Sequence, residues 1–127
     1  MKGRILYIED NDHNFYLVRF ILEGRGYEVV RAKDGPEGLE KAGREDVDLI
    51  LLDIQLPVMD GYAVARALRS NPSVAGTPII AVTSYAMAGD REKALAAGCT
   101  GYIEKPINPG SFASQIEQYL SVGEGAP

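Results

Sequence analysis

The sequence predicts an α/β fold, a doubly wound parallel sheet of five strands, and three observations carry that expectation. Five short runs rich in β-branched and apolar residues alternate with five stretches of helical periodicity. Segments such as Asp48–Asp53 read as buried, which strands become when helices cover both faces of a parallel sheet. Four of the five runs also deliver a polar or charged residue to their carboxyl ends, the edge at which open α/β sheets bind ligands.

Taken in order, Arg4–Glu9 (RILYIE) reads as a buried strand. Asp12–Arg25 follows as a helix, with Phe15, Val18, Ile21 and Leu22 at helical spacing and Gly26 as its stop. Tyr27–Ala32 is the second strand. Pro36, suited to a first helical turn, opens Pro36–Arg44, with Leu39 and Ala42 turned inward. Asp48–Asp53 is the third strand, and Tyr62–Ser70 the third helix, with Val64, Ala67 and Leu68 as its apolar face. Pro78–Thr83 is the fourth strand, Asp90–Ala97 a short Ala-rich helix, and Tyr102–Glu104 a brief fifth strand. The final helix is expected over Pro109–Leu120, with Phe112, Ile116, Tyr119 and Leu120 inward. One domain is expected over residues 1–121, with a disordered tail over 122–127.

The chain's 127 residues match the commonest domain size and are enough for a core of their own. A net charge of −5 argues against a nucleic-acid partner. The longest apolar runs fall far short of the roughly 20 residues that span a bilayer. The acidic start MKGRILYIEDND is no secretory signal, and the lone Cys99 fits a reducing compartment, so the expected location is cytoplasmic.

The carboxyl ends of the strands bring together Glu9 and Asp10, Asp53, Thr83 and Lys105. Asp53 ends a buried segment, and a buried charge needs a partner or an opening to solvent. The expectation is that it has both, lying at the rim of the sheet. Clustered carboxylates repel one another, and a divalent cation relieves that repulsion. With hard oxygen ligands and neither histidine nor thiol among them, the cation expected is one Mg²⁺, which keeps coordination positions for waters or a phosphoryl oxygen. An Asp carboxylate can then act as nucleophile and form an acyl phosphate. Thr83 and Lys105 are suited to the charge that develops on the transferring group.

Four motifs make the reading specific: YIEDN (Tyr7–Asn11), LLDIQLPVMDG (Leu51–Gly61), AVTSYA (Ala81–Ala86) and YIEKP (Tyr102–Pro106). In this order and spacing the chain resembles the receiver domain of two-component response regulators, over essentially its whole length. The resemblance implies a flavodoxin-like (βα)5 fold with strand order 2-1-3-4-5. It implies that Asp53 is the phosphoacceptor, served by a histidine kinase or histidine phosphotransfer protein. It implies that Asp10, Asp53 and the backbone carbonyl of Gln55 hold Mg²⁺, with Glu9 acting through water; many members carry Asp where this chain has Glu9. Thr83 and Lys105 would contact the phosphoryl oxygens, and Lys105–Pro106 would be a cis peptide. Thr83 and Tyr102 would form the switch that changes the face of the fourth helix, fifth strand and fifth helix for a downstream protein target. Gln55 and Tyr85 occupy positions that tune loss of phosphate, Tyr85 by restricting the hydrolytic water. Kinase specificity is expected on the first helix and the loop before the last helix, around Phe15, Val18 and Pro106–Pro109. Because the chain ends where the fold ends, it resembles the single-domain, DivK-like members, which bind a partner or pass phosphate on without being enzymes of turnover. The face of the fourth helix, fifth strand and fifth helix is also a candidate for a homodimer, and neither nucleic acid nor membrane is an expected partner.

Plainer readings stand beside these. Asn11 or Asp12 is expected to cap the first helix, leaving Asp10 free, and Asp60–Gly61 reads as a turn. His13 is assigned no function, and Cys99 reads as a small packing residue. An aspartate-nucleophile phosphatase would need a second Asp where Gln55 stands. A flavin carrier would find its phosphate repelled by Glu9-Asp10-Asn11-Asp12. A phosphate-independent interaction module and the receiver portion of a hybrid kinase remain alternatives.

Overall fold

The computed structural model describes residues 2–84 and 89–124, and over 121–124 the backbone alone. Its elements are β1 (Gly3–Ile8), α1 (Asp12–Glu23), β2 (Tyr27–Ala32), α2 (Gly35–Arg44), β3 (Leu49–Asp53), α3 (Gly61–Arg69), β4 (Ile79–Thr83), α4 (Asp90–Ala96), β5 (Gly101–Glu104) and α5 (Phe112–Glu124), with a 3₁₀ turn at Pro72–Val74. The five strands pair in the order β2-β1-β3-β4-β5, and every pair is parallel. The doubly wound sheet expected from the alternation is therefore what forms.

Successive side chains of a strand point to opposite faces, and the core divides accordingly. Leu6, Ile8, Ile50, Leu52, Ile79 and Ala81 pack with α2, α3 and α4 residues such as Ala42, Val64, Leu68 and Ala94. Ile5, Tyr7, Leu49, Leu51, Ile80 and Val82 pack on the other face with Phe15, Val18 and Leu22 of α1 and Phe112 and Ile116 of α5. Close approach of α2 to β1 needs Gly38, since a Cβ there would lie 2.5 Å from Ile8 Cδ1.

Short polar side chains fix where helices begin, each worth about 1 kcal/mol. Asn11 Oδ1 accepts the Asn14 N–H at 2.9 Å, Asp34 Oδ1 the Glu37 N–H at 2.9 Å and Asp60 Oδ1 the Tyr62 N–H at 3.0 Å. Asn11 is thus the cap of α1, and Asp60 belongs to the start of α3. Some boundaries differ from those expected. β1 begins one residue earlier and ends at Ile8, so Glu9 stands just beyond it. α5 starts at Phe112 rather than Pro109, because the Asn108 carbonyl accepts the Ser111 and Phe112 N–H groups and holds the intervening residues as a turn. It runs on to Glu124, four residues past Leu120. The 3₁₀ turn was not expected; Asn71 caps it and Pro72 opens it.

Arg69, at the end of α3, has a role that spacing did not suggest. Its guanidinium donates to the carbonyls of Gly98 and Thr77, both at 2.7 Å, to Val74 O at 3.1 Å and to Thr100 Oγ1 at 3.0 Å. One side chain thereby ties the end of α3 to the turns before β4 and β5. Among the described residues no helix is long and apolar enough to cross a membrane.

Candidate functional site

Strand register assembles the site. Ile8 pairs with Leu52, so the next residue, Glu9, comes level with Asp53. Asp53 pairs with Val82, which places Thr83 one step beyond it, and Thr83 pairs with Glu104, just before Lys105. The carboxyl ends of β1, β3, β4 and β5 thus meet at one edge. Ligand oxygens of Glu9, Asp10 and Asp53 all lie within 4.8 Å of one another. Lys105 Nζ stands 3.2 Å from Glu9 Oε1 and 3.4 Å from Asp53 Oδ2. The Lys105–Pro106 peptide that aims this side chain is cis.

The carboxylates differ in their surroundings. Glu9 is fully buried, and its Oε1 accepts the buried Tyr7 hydroxyl at 2.8 Å while Oε2 accepts the Asn11 N–H at 3.3 Å. Asp53 Oδ1 accepts the Gln55 N–H at 2.9 Å. Asp10 is exposed. Burial pushes the Asp53 carboxyl up to about 7, and the hydrogen bond and charge of Glu9 add to that; the Gln55 N–H and Lys105 pull the other way. Burial alone would raise Glu9 too, but hydrogen bonds with Asp53 and Tyr7 and the charge of Lys105 hold it below the ordinary carboxylate range. The pair is thereby driven apart, Asp53 upward and Glu9 downward. The Tyr7 hydroxyl, buried and facing Glu9, is raised and stays protonated.

Such a cluster has the donor set of a hard divalent cation, oxygen ligands only, and it carries repulsion for that cation to relieve. Asp53 itself is only 3% exposed. The expectation of a carboxylate open to solvent at the rim is corrected on that point: its charge is met by Lys105, whose side chain is itself 12% exposed. The opening to solvent lies at Asp10.

The carboxamide of Gln55 reaches from the β3–α3 loop to the end of β4. Its Nε2 donates to Thr83 Oγ1, and its Oε1 accepts the Ser84 N–H at 3.2 Å and the Ser84 hydroxyl at 3.4 Å. Beyond Gln55, Val58 has a φ of 72° and the Met59 N–H donates to Pro57 O at 2.7 Å, a γ-turn centred on an exposed valine. Tyr102 is half-buried beside the α3–α4 core, and its hydroxyl oxygen is covered without a hydrogen-bond partner among the described residues. Burial and the nearby carboxylates of Asp90 and Glu104 raise it. Tyr85 lies outside the described residues.

Two residues expected on a kinase-facing surface are not there. Phe15 is 5% exposed and Val18 fully buried, both in the core beside α5. Their spacing with Leu22 marks the inward stripe of α1. The outward residues Tyr16 and Phe20 are 57% and 82% exposed instead. An open groove of about 570 Å³ runs between α1 and the loop after β5, lined by His13, Leu17, Lys105, Pro106 and Ile107 among others. His13, given no role, therefore stands at the mouth of the site.

This fold, with acidic residues, a hydroxyl and a lysine at the carboxyl edge of a 2-1-3-4-5 sheet, defines a signalling receiver. Residues 5–117 match the model of the response regulator receiver domain, and the chain belongs to that family. It is 41% identical to the polar-differentiation response regulator DivK of Brucella ovis over 120 residues, covering 94% of this chain and 98% of that protein. Among solved structures it is similar to the receiver domain of a sensor histidine kinase from Pseudomonas aeruginosa with a magnesium ion coordinated in the active-site cleft. That likeness has 35% identity, a TM-score of 0.86, and coverage of 94% of this chain and 98% of the other. A CheY-like receiver domain protein from Methanospirillum hungatei gives 36% identity and a TM-score of 0.88, covering 98% of each chain.

Proposed function

We propose that this receiver accepts a phosphoryl group on Asp53 from a phosphohistidine of a kinase or phosphotransfer protein. The observation that carries the reading is the meeting of Glu9, Asp10 and Asp53 within 4.8 Å, with Lys105 Nζ 3.4 Å from Asp53. An Asp53 oxygen attacks phosphorus as the P–N bond breaks and its electron pair returns to the imidazole, leaving an acyl phosphate. Asp10, Asp53 and the Gln55 carbonyl would hold Mg²⁺, with Glu9 acting through water. A bound Mg²⁺ would offset the carboxylate charge and polarise a phosphoryl oxygen. Lys105 and Thr83 neutralise charge on the transferred group. Thr83 and Tyr102 then couple it to the α4–β5–α5 face, where a protein target docks or a second copy associates. Gln55 and Tyr85 set the lifetime of the phosphate. The donor protein approaches along the groove between α1 and the loop after β5.

The match over 98% of a DivK regulator's length supports a regulator in its own right. The likeness to a sensor kinase's receiver supports the second reading, a receiver portion of a hybrid kinase. Intact mass after incubation with acetyl phosphate, with and without Mg²⁺, tests the chemistry. One phosphoryl group should be gained, only with Mg²⁺, and not by Asp53→Asn. Incorporation that survives the Asn substitution would overturn Asp53 as acceptor. Full signalling by Asp53→Asn in the host would favour a phosphate-independent module.

A further inference from the structure

We propose that Arg31, near the end of β2, is a positioning residue that fixes the β1–α1 turn and so holds Asp10 toward the cation site. None of the clustered carboxylates comes from β2. Arg31 nevertheless reaches across the end of β1 and grips the acidic turn by its main chain. Its Nε donates to the Glu9 carbonyl at 3.2 Å and its Nη2 to the Asp10 carbonyl at 3.1 Å. Its Nη1 stands 2.8 Å from Asp12 Oδ1, and the guanidinium lies 4.8 Å from the centre of the Phe15 ring. Arg31 pairs with Tyr7 in the strand register, which turns both side chains to the face that α1 covers.

The need for such a grip follows from Asp10. It stands in a connection of three residues, Glu9 to Asn11, and it is exposed, so packing does little to aim its carboxylate. The backbone has to aim it instead. The Glu9 carbonyl belongs to the peptide plane before Asp10 and the Asp10 carbonyl to the plane after it. One rigid guanidinium holds an atom of both planes, which leaves the Cα–Cβ bond between them little freedom to swing. Two further contacts anchor the same turn. The Glu9 N–H donates to Ala32 O at 2.9 Å, and the Asn11 N–H donates to Glu9 Oε2 at 3.3 Å.

The Arg31 side chain is 14% exposed, so water competes poorly for these contacts. Its ion pair is with Asp12 and its hydrogen bonds go to carbonyls. It therefore steadies the turn without occupying the carboxylate oxygens that a cation would use. This deepens the reading that Glu9, Asp10 and Asp53 receive Mg²⁺ for phosphoryl transfer, and rests on it. Charge and geometry predict opposite signs for the loss of Arg31. A guanidinium near a cation site repels Mg²⁺, so by charge alone its removal would tighten binding. By positioning, its removal loosens the turn and weakens binding.

The test uses Arg31→Gln, which removes both charge and fork, and Arg31→Lys, which keeps the charge without the fork. MgCl₂ titrations of the whole chain, followed by NMR at the amide signals of the β1–α1 turn, give the Mg²⁺ dissociation constant with no phosphate present. Both variants should bind Mg²⁺ about tenfold more weakly than wild type, the low end of what partners of metal-ligating residues contribute. Acetyl phosphate labelling of Asp53 should need correspondingly more Mg²⁺ and reach the wild-type rate once Mg²⁺ saturates. Urea unfolding in EDTA separately reads the stability that Arg31 supplies through Asp12 and Phe15. Arg31→Gln that binds Mg²⁺ as tightly as wild type, or more tightly, would overturn the positioning role however much stability it had lost. Wild-type affinity in Arg31→Lys would overturn the two-carbonyl grip. Wild type that binds no Mg²⁺ would overturn the cation site and this proposal with it. Wild type that binds Mg²⁺ but takes no phosphate would overturn the phosphoacceptor reading alone.

Discussion

Replacing Asp53 by Asn should stabilise the metal-free protein, although it removes the residue that the chemistry needs. Asp53 is 3% exposed, and its carboxyl is pushed up to about 7 from an ordinary 3.8, first by burial and then by Glu9. Ionising it inside the fold at pH 8 therefore costs about 4 kcal/mol more than in the unfolded chain, at about 1.4 kcal/mol per pH unit. Glu9 recovers part of this, since its hydrogen bonds with Asp53 and Tyr7 and the charge of Lys105 hold its own carboxyl below its ordinary range. Asn keeps the shape and the acceptor for the Gln55 N–H while dropping the charge, so the expected gain at pH 8 is about 1–3 kcal/mol. The sign follows from linkage. A carboxyl whose folded value lies above its unfolded one contributes stability below about pH 4 and loses it as pH rises through 7. The advantage of Asn should accordingly be small at pH 4, grow between pH 4 and 7, and level off above. With no tryptophan in the chain, urea unfolding followed by far-UV circular dichroism in EDTA reads the difference at each pH. Mg²⁺ should then raise the stability of wild type more than that of Asp53→Asn. An Asn variant less stable than wild type at pH 8, or a gain that ignores pH, would refute the electrostatic account.

Other consequences can be checked in the same unfolding assay. Val58→Gly should raise stability by roughly 1 kcal/mol, because a β-branched residue at a φ of 72° is strained and glycine is not; a loss would mean that valine contributes packing there. Arg69→Met should lose about 1–3 kcal/mol, since the part-buried carbonyls of Gly98 and Thr77 would be left without their donor; a change within about 0.5 kcal/mol would show that water replaces it. Cys99, 5% exposed and pushed up to about 11 by burial, should resist iodoacetamide at pH 8 in the native protein and react promptly in urea. Native alkylation at the unfolded rate would contradict that burial.

What the sequence made legible was what strand ends deliver. Glu9, Asp10, Asp53, Thr83 and Lys105 can be read in advance because a parallel sheet aligns the carboxyl ends of its strands, whatever the side chains do next. Burial of Asp53 was not legible, since it depends on how Lys105 and the neighbouring loops close over the edge. The Gln55 carboxamide was equally hidden, as its partners lie 28 and 29 residues away. Arg69 looked like an ordinary basic residue at a helix end until the turns before β4 and β5 were placed around it. Phe15 and Val18 were misjudged as a docking surface although their spacing with Leu22 marked an inward stripe; Tyr16 and Phe20, one position on and further round the helix, carry the exposure.

The site is arranged so that its cationic group is already engaged. Lys105 is held between Glu9 and Asp53, and Thr83 Oγ1 accepts the Gln55 amide N–H. A phosphoryl group on Asp53 would bring more negative charge to a place already short of positive charge, and it would be stable only if Lys105 changed partners. Lys105 can turn toward the phosphoryl oxygens once a cation meets the carboxylates that it now serves. Thr83, whose Oγ1 accepts the Gln55 N–H, keeps its own hydroxyl proton to donate to them. Metal binding by itself should therefore ease the exchange that frees Lys105.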